Sequence, residues 1–113
     1  MSQELENYYL KHPEPFQGCL LALKKLILGI DGRITHERKY QIPFFHYKGK
    51  KLCYLWVNRK KLLMGFIVDK SIFPVVAGIK RKDEYESFQI DPNADLPVEF
   101  ILENLHRRMK LYD

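Results

Sequence analysis

The residues best suited to chemistry in this chain are two histidines and a glutamate in its central part: His36, Glu37 and His46. Imidazole nitrogens and a carboxylate suit iron or zinc, so convergence of the three across neighbouring strands would form a weak metal site. No two of them have the short, fixed spacing of a metal-binding motif. We therefore expect half-exposed strand residues at these positions, with the metal site as the alternative.

A second candidate group is basic and falls at two turns. The candidates for contact with an anion or nucleic acid are Lys48, Lys50, Lys51, Arg59, Lys60 and Lys61. Aromatic residues from Tyr40 to Trp56 are interleaved with them, a pattern that suits a sheet that stacks bases and holds phosphates. However, a strand over residues 52–57 separates the two turns by roughly 20 Å at about 3.3 Å per residue. We therefore expect solvated turn residues and do not expect nucleic acid as a partner.

The sequence has no pattern typical of an enzyme active site. Its three serines, Ser2, Ser71 and Ser87, lie outside nucleophile-elbow contexts, and the chain has no glycine-rich phosphate loop. Cys53, beside Tyr54 on a central strand, is predicted to be a buried core thiol rather than a nucleophile. We expect no catalytic residues and a non-enzymatic protein.

Length and composition indicate one domain over residues 1–113. The hydrophobic fraction of 46% is enough to form a core without a disulfide or a metal. The first residues are polar and acidic, and Lys24 and Lys25 interrupt the longest apolar runs, so neither a signal peptide nor a membrane span is predicted. Cys19 and Cys53 lie far apart in sequence, which favours reduced thiols and a cytoplasmic protein. The net charge of +5 permits an anionic partner without requiring one.

Apolar residues at helical spacing predict three helices. The first, over residues 2–12, has Ser2 as a candidate cap and ends before a proline. The second begins directly after it, with Pro13 and Pro15 in its first turn, and extends to Ile30. The third begins near Pro97 and carries an apolar stripe from Val98 to Met109.

From Ile34 the period of the pattern changes to two, which is typical of strands. The alternation predicts a first strand from Ile34 to Ile42, ended by a bend or bulge at Pro43. The remaining strands are predicted over residues 45–47, 52–57, 62–67 and 85–90, with a long connection over 69–83 that contains at most one short element. Strands in succession without intervening helices indicate an antiparallel sheet of about five strands packed by the terminal helices, an α+β fold.

The strand region resembles a known family, the YdhG-like domain of unknown function. The resemblance is carried by residues 23–31 (LKKLILGID), Glu37, Tyr40, Ile42–Phe45, Tyr47–Lys50, Cys53–Leu55 and Gly65–Phe66. It covers nearly the whole chain, but residues 85–90 lack the basic residue that the family often has in its last strand. The resemblance implies a frataxin-like α-β-α sandwich. Some relatives are described as intracellular iron chaperones, so the resemblance also implies iron as a ligand, although no cofactor is evident from the residues.

The charges of this chain do not match frataxin-like iron binding, which is understood to use clustered surface carboxylates. Glu4, Glu6 and Glu14 are scattered, and Lys24 and Lys25 make the exposed side of the second helix cationic. Because a cationic helix repels iron, His36, Glu37 and His46 are the remaining candidates for an iron site.

An alternative function is a protein-interaction or self-association module. The strands through Leu55 and Leu63 are apolar on both faces, whereas helices on one side would cover only one of them. A homodimer or a protein partner would then cover the second face. The competing interpretation, which we favour, is that the helices or the 69–83 connection cover it within one chain.

Overall fold

The computed structural model describes residues 3–113 and has three helices and five strands in the predicted order. The elements are α1 Gln3–Leu10, α2 Phe16–Leu28, β1 Ile34–Lys39, β2 Ile42–Tyr47, β3 Lys50–Asn58, β4 Lys61–Val68, β5 Glu84–Ile90 and α3 Val98–Tyr112. The α+β class, the antiparallel sheet of five strands and the helices at both ends are confirmed. The predicted cap Ser2 lies outside the described residues. The prediction that Pro13 and Pro15 lie in the first turn of the second helix is wrong, because α2 begins at Phe16.

The sheet is an antiparallel meander in which the strands lie in sequence order, β1-β2-β3-β4-β5. Three of its connections are two-residue turns, at 40–41, 48–49 and 59–60, and all six turn residues have positive φ. Positive φ at both central residues matches the right-handed twist of the strands on either side. Gly49 is the one glycine among the six residues.

The predicted first strand from Ile34 to Ile42 is wrong, because the chain reverses direction at Tyr40 and Gln41. These residues have φ values of 54° and 67°, a conformation that sequence patterns assign to Gly, Asn or Asp. Pro43 therefore lies inside β2, opposite Arg38, instead of marking a bend or bulge. Proline has no N–H to donate to β3. The β2–β3 ladder starts at the residue after Pro43, with the Phe44–Tyr54 pair.

All three helices pack on one face of the sheet, which we call the helix face. The main hydrophobic cluster joins residues of α1, α2 and α3 to strand residues of that face. Its strand members are Ile34, Phe45, Tyr47, Leu52, Cys53, Leu55, Leu62, Met64, Phe66 and Ile90. The alternate residues of the same strands, including Phe44, Tyr54, Trp56 and Gly65, point to the opposite side, which we call the open face.

The connection over residues 69–83 is ordered around one short element, as predicted. A single 3-10 turn, Lys70–Ile72, begins at Asp69, whose side chain accepts a hydrogen bond from the backbone N–H of Ser71. Val76 and Ile79 then form an isolated antiparallel bridge. In the part of the chain that the structure describes, no helix is long and apolar enough to cross a bilayer.

Candidate functional site

His36 lies on the helix face, away from the other two metal candidates. Its ring stacks on Phe45 with centroids 4.5 Å apart, and its Nε2 lies 2.7 Å from the hydroxyl of Tyr9. Burial lowers the pKa of His36 to about 4, so at neutral pH the imidazole is uncharged and shares a hydrogen bond with the Tyr9 hydroxyl through Nε2. These contacts explain His36 as a residue of the packed layer.

Glu37 and His46 lie together on the open face. The Nδ1 of His46 is 3.2 Å from a carboxylate oxygen of Glu37, and His46 is buried while Glu37 is exposed. Burial lowers the pKa of His46, and the Glu37 charge opposes that shift. The sheet separates this pair from His36, so the three residues do not form one site. Within residues 3–113 no group of three His, Cys, Asp or Glu residues is placed to hold a metal ion.

The two basic turns lie at opposite ends of β3, as predicted. At one end Lys48 pairs with Asp113 at 2.8 Å and Lys51 pairs with Asp83 at 3.0 Å, while the ammonium of Lys50 lies 5.9 Å from the ring centroid of Tyr112. The three lysines at this end are therefore already engaged in contacts within the chain. At the other end all three cations are exposed and make no ion pair within residues 3–113: Arg59, Lys60 and Lys61.

Aromatic side chains form a continuous row across the open face. Tyr40 contacts Phe44 with ring centroids 5.7 Å apart, Phe44 contacts Tyr54 at 5.6 Å, and Tyr54 contacts Tyr85 at 6.4 Å. We call these four residues the aromatic row. Phe44 is 2% exposed and forms its floor, whereas Tyr40 and Tyr85 are 71% and 55% exposed. The row therefore combines a fixed centre with ring faces that solvent reaches.

The position of Tyr54 in the row depends on Gly65, its partner on β4. A Cβ atom built on Gly65 would lie 2.1 Å from Cε2 of the Tyr54 ring, closer than any real contact. The ring thus lies directly against the backbone of β4, in space that only glycine leaves free. This close approach keeps Tyr54 flat against the sheet.

A groove opens at one end of the aromatic row, where the β2–β3 ladder stops. Val57 lies beyond the ladder and donates its backbone N–H to the hydroxyl of Tyr8 at 3.0 Å, so α1 closes this end of the sheet. The resulting cavity of about 600 Å³ is the aromatic groove. It is lined by Tyr8, Lys11, His12, Tyr40, Gln41, Ile42, Phe44, Tyr54, Trp56, Val57 and Tyr85. Its size is typical of a small-molecule site.

The charge at the groove is positive. Lys11 lies 4.7 Å from the ring centroid of Tyr8, and Lys39 lies 5.6 Å from that of Tyr40. Burial raises the pKa values of Tyr8 and Tyr85, so their hydroxyls stay protonated near neutral pH. Burial, aided by Lys11, lowers the pKa of His12. Aromatic faces, neutral hydroxyls and rim ammonium groups therefore line the groove.

A second cavity, of about 670 Å³, lies between α2 and α3. Its lining is mostly aliphatic, and Lys25 and His106 are the charged or titratable side chains among the described residues that line it. It has no convergent arrangement of aromatic and polar groups, so the aromatic groove is the better candidate for a site.

Both cysteines are buried and free, which confirms the prediction of a core thiol at Cys53. Complete burial raises the pKa of Cys53, which disfavours the thiolate that a nucleophile requires. Burial also raises the pKa of Cys19.

Sequence reasoning identified Tyr40 and Trp56 as interleaved aromatics but not the groove that they line. The missed residues are Tyr8, Lys11 and His12 of the N-terminal segment and Tyr85 of β5. A signal was present in the alternation of β3, where Tyr54 and Trp56 share a face opposite the core residues Cys53 and Leu55. Nothing local in the sequence indicates that α1 closes the end of that face.

Comparisons with protein-family models, with curated proteins and with solved structures find no match for this chain.

Proposed function

We propose that this protein is a binding module whose aromatic groove takes a planar anionic ligand, a nucleobase that carries phosphate. The observation that supports this proposal most is the aromatic row on a sheet face that none of the three helices within residues 3–113 covers, together with exposed cations at the same end of the sheet. The shared chemistry of a free nucleotide and a single-stranded nucleic acid is a flat ring joined to a phosphate, and both are candidate ligands.

Stacking supplies the first part of the recognition. Exposed tyrosine and tryptophan faces on an open antiparallel sheet accept bases without reading their sequence, at about 1–3 kcal/mol per base. Trp56 and Tyr85 are 38% and 55% exposed, so a planar ligand reaches both rings. The buried Phe44 beneath them gives the groove an apolar floor.

Positive charge supplies the second part. Lys11 lines the groove, and Arg59 and Lys60 occupy the turn that follows the strand of Trp56. These cations lie at one end of the sheet together with the aromatic groove, so one ligand can use both. The separation of the two basic turns counts against a single long basic patch, but it does not affect a site that uses one of them.

Iron delivery by a YdhG-like protein stays a second proposal. In this chain it is supported by one observation, the pairing of Glu37 and His46 at 3.2 Å on the open face. Calorimetric titration with ferrous and ferric iron tests it, and no heat above that of buffer at micromolar protein would contradict it. Self-association through the open face is a further alternative, which light scattering over a wide range of protein concentrations tests.

Trp56 is the only tryptophan of the chain, so its fluorescence reports on the groove directly. We expect adenosine monophosphate and a short oligothymidylate to change its emission at low salt, adenosine to do so more weakly, and inorganic phosphate to have no effect. The Tyr85→Ala variant should raise the dissociation constant at least about fivefold because it removes one stacking face. Leu111→Ala, at an exposed position on α3, is the matched control.

Two outcomes would contradict the proposal. One is unchanged emission with every nucleotide and oligonucleotide at millimolar concentration. The other is a change in emission whose midpoint is the same in Tyr85→Ala and Leu111→Ala.

A further inference from the structure

The connection between β4 and β5 ends in an exposed apolar tip. Every residue from 74 to 80 is exposed. Three of them are aliphatic: Val75, Val76 and Ile79 are 80%, 47% and 67% exposed. Because water solvates such side chains poorly, a cluster at a tip indicates a surface that meets something less polar. We call residues 74–82 the apolar tip.

The tip is held in shape by hydrogen bonds of its own. Ala77 and Gly78 form its turn, where Gly78 has φ of 80° and Ile79 donates its backbone N–H to the carbonyl of Val76 at 3.1 Å. At the base Arg81 reaches back to the carbonyl of Phe73 at 3.1 Å. The aliphatic side chains are therefore presented by a hydrogen-bonded turn.

Basic residues flank the aliphatic ones in the chain. Lys80 and Lys82 are exposed within the tip, and Lys70 is exposed at its base. The acid nearest in sequence, Asp83, is engaged by the ammonium of Lys51 at 3.0 Å and by the backbone N–H of Lys70 at 2.7 Å. The next, Glu84, is exposed at the start of β5. The tip therefore carries a net positive charge at its rim.

We infer that the apolar tip docks on a membrane surface rich in anionic phospholipid, with Val75, Val76 and Ile79 entering the interfacial layer and the lysines contacting headgroup phosphates. Aliphatic side chains flanked by Lys and Arg are typical of proteins that bind at a membrane interface. There, burial of apolar surface and attraction to anionic headgroups both contribute to binding. A protein interface is a poorer match, since such surfaces concentrate aromatic anchors in pockets and are depleted in lysine.

Co-sedimentation with lipid vesicles tests the inference. The full chain should pellet with phosphatidylcholine vesicles that contain about 30% phosphatidylserine, and only weakly with pure phosphatidylcholine. Raising the salt from about 0.1 to 0.5 M should release most of it. The double variants Val75→Ser/Ile79→Ser and Lys80→Glu/Lys82→Glu should each lower the bound fraction at least about fivefold.

Matched controls are Leu111→Ser, at an exposed aliphatic position of α3, and Lys25→Glu, at an exposed position of α2. Both should bind vesicles like the unchanged chain, and circular dichroism should show the same fold for all variants. The inference fails if the anionic vesicles pellet no protein, or if the tip variants bind as well as the controls. It also fails if the tip variants lose binding to a labelled oligonucleotide while binding to vesicles is absent.

Discussion

The two faces of the sheet are made from alternate residues of the same strands, yet they differ in what their side chains do. On the helix face Leu55, Met64 and Phe66 are fully buried. On the open face Trp56 and Tyr85 keep 38% and 55% of their surface. The helix face therefore holds most of the buried core, whereas the open face buries Phe44 and leaves the rings of Trp56 and Tyr85 partly in water. Exposed rings that line one groove contribute little to folding and are better explained by binding.

The largest expected contrast between the faces is in stability. Phe66→Ala should lower the free energy of unfolding by about 3–5 kcal/mol, because it empties space among Phe88, Phe100 and Arg108 that the core cannot refill. Tyr85→Ala on the open face should cost less than about 1 kcal/mol, since the ring is already half in water.

Urea denaturation of both variants, with the slope compared to that of the unchanged chain, measures this contrast. Equal losses of stability at the two positions would mean that the open face also belongs to the structural core, and the functional interpretation of its rings would lose its basis.

The close approach of Tyr54 to Gly65 gives the next largest effect. Gly65→Ala places a methyl group where the ring lies, so the ring must leave its position, with an expected loss of about 1–3 kcal/mol. Tyr54→Ala removes the obstacle, so the double variant should be more stable than the sum of the two single changes predicts. A double-mutant cycle by urea denaturation measures the coupling, and additive effects would show that the ring does not lie against β4.

Much of the fold could be predicted from the sequence because the spacing of apolar residues indicates which side chains face the core. The central strands and the final helix follow from alternation and helical spacing, and Pro97 correctly marks the start of α3. The turn at Tyr40 and Gln41 could not be predicted, since neither residue is a usual choice for positive φ. That error placed Tyr40 and Ile42 in one strand with His36, which obscured the face that carries the aromatic row.

The candidate site was harder to predict because it depends on tertiary contacts. Tyr8 reaches Val57 across 49 residues of sequence, and the strand end that it closes lies beside Pro43, which has no N–H to donate to the ladder. The relative positions of the metal candidates could not be predicted either. A shift of one residue in the β1–β2 register decides whether His36 and His46 share a face.

The pH dependence of stability tests the burial of His36 on the helix face. His36 on the helix face has a pKa of about 4 in the folded chain against 6.5 for an ordinary histidine. In the range between these values the unfolded chain binds a proton that the folded chain does not. Stability from this group is therefore complete above about pH 6.5 and is lost as the pH falls toward 4, by about 1–2 kcal/mol once partial exposure is allowed for.

Unfolding by urea at a series of pH values, for the unchanged chain and for His36→Gln, isolates the contribution of this residue. The variant should show a shallower loss of stability in the acid range, while His46 and His12, whose pKa values burial also lowers, continue to act in both proteins. The same acid slope in both proteins would place His36 in a more solvated environment than its contacts with Tyr9 and Phe45 indicate.

The smallest effect concerns the charge at the open face. Lys11 lines the groove and is exposed, so its attraction for a ligand phosphate is screened by water and salt. Lys11→Ala should therefore weaken nucleotide binding by less than about 1 kcal/mol, a factor of about two to five in the dissociation constant, and should leave stability unchanged. Lys25→Ala on α2 is the matched control, and Trp56 fluorescence measures both. Because the Lys11 contribution is electrostatic, it should disappear at high salt while the stacking contribution of Tyr85 persists. If the difference between the two lysine variants survives in high salt, Lys11 acts through its contact with the Tyr8 ring, and the groove selects its ligand by shape instead of charge.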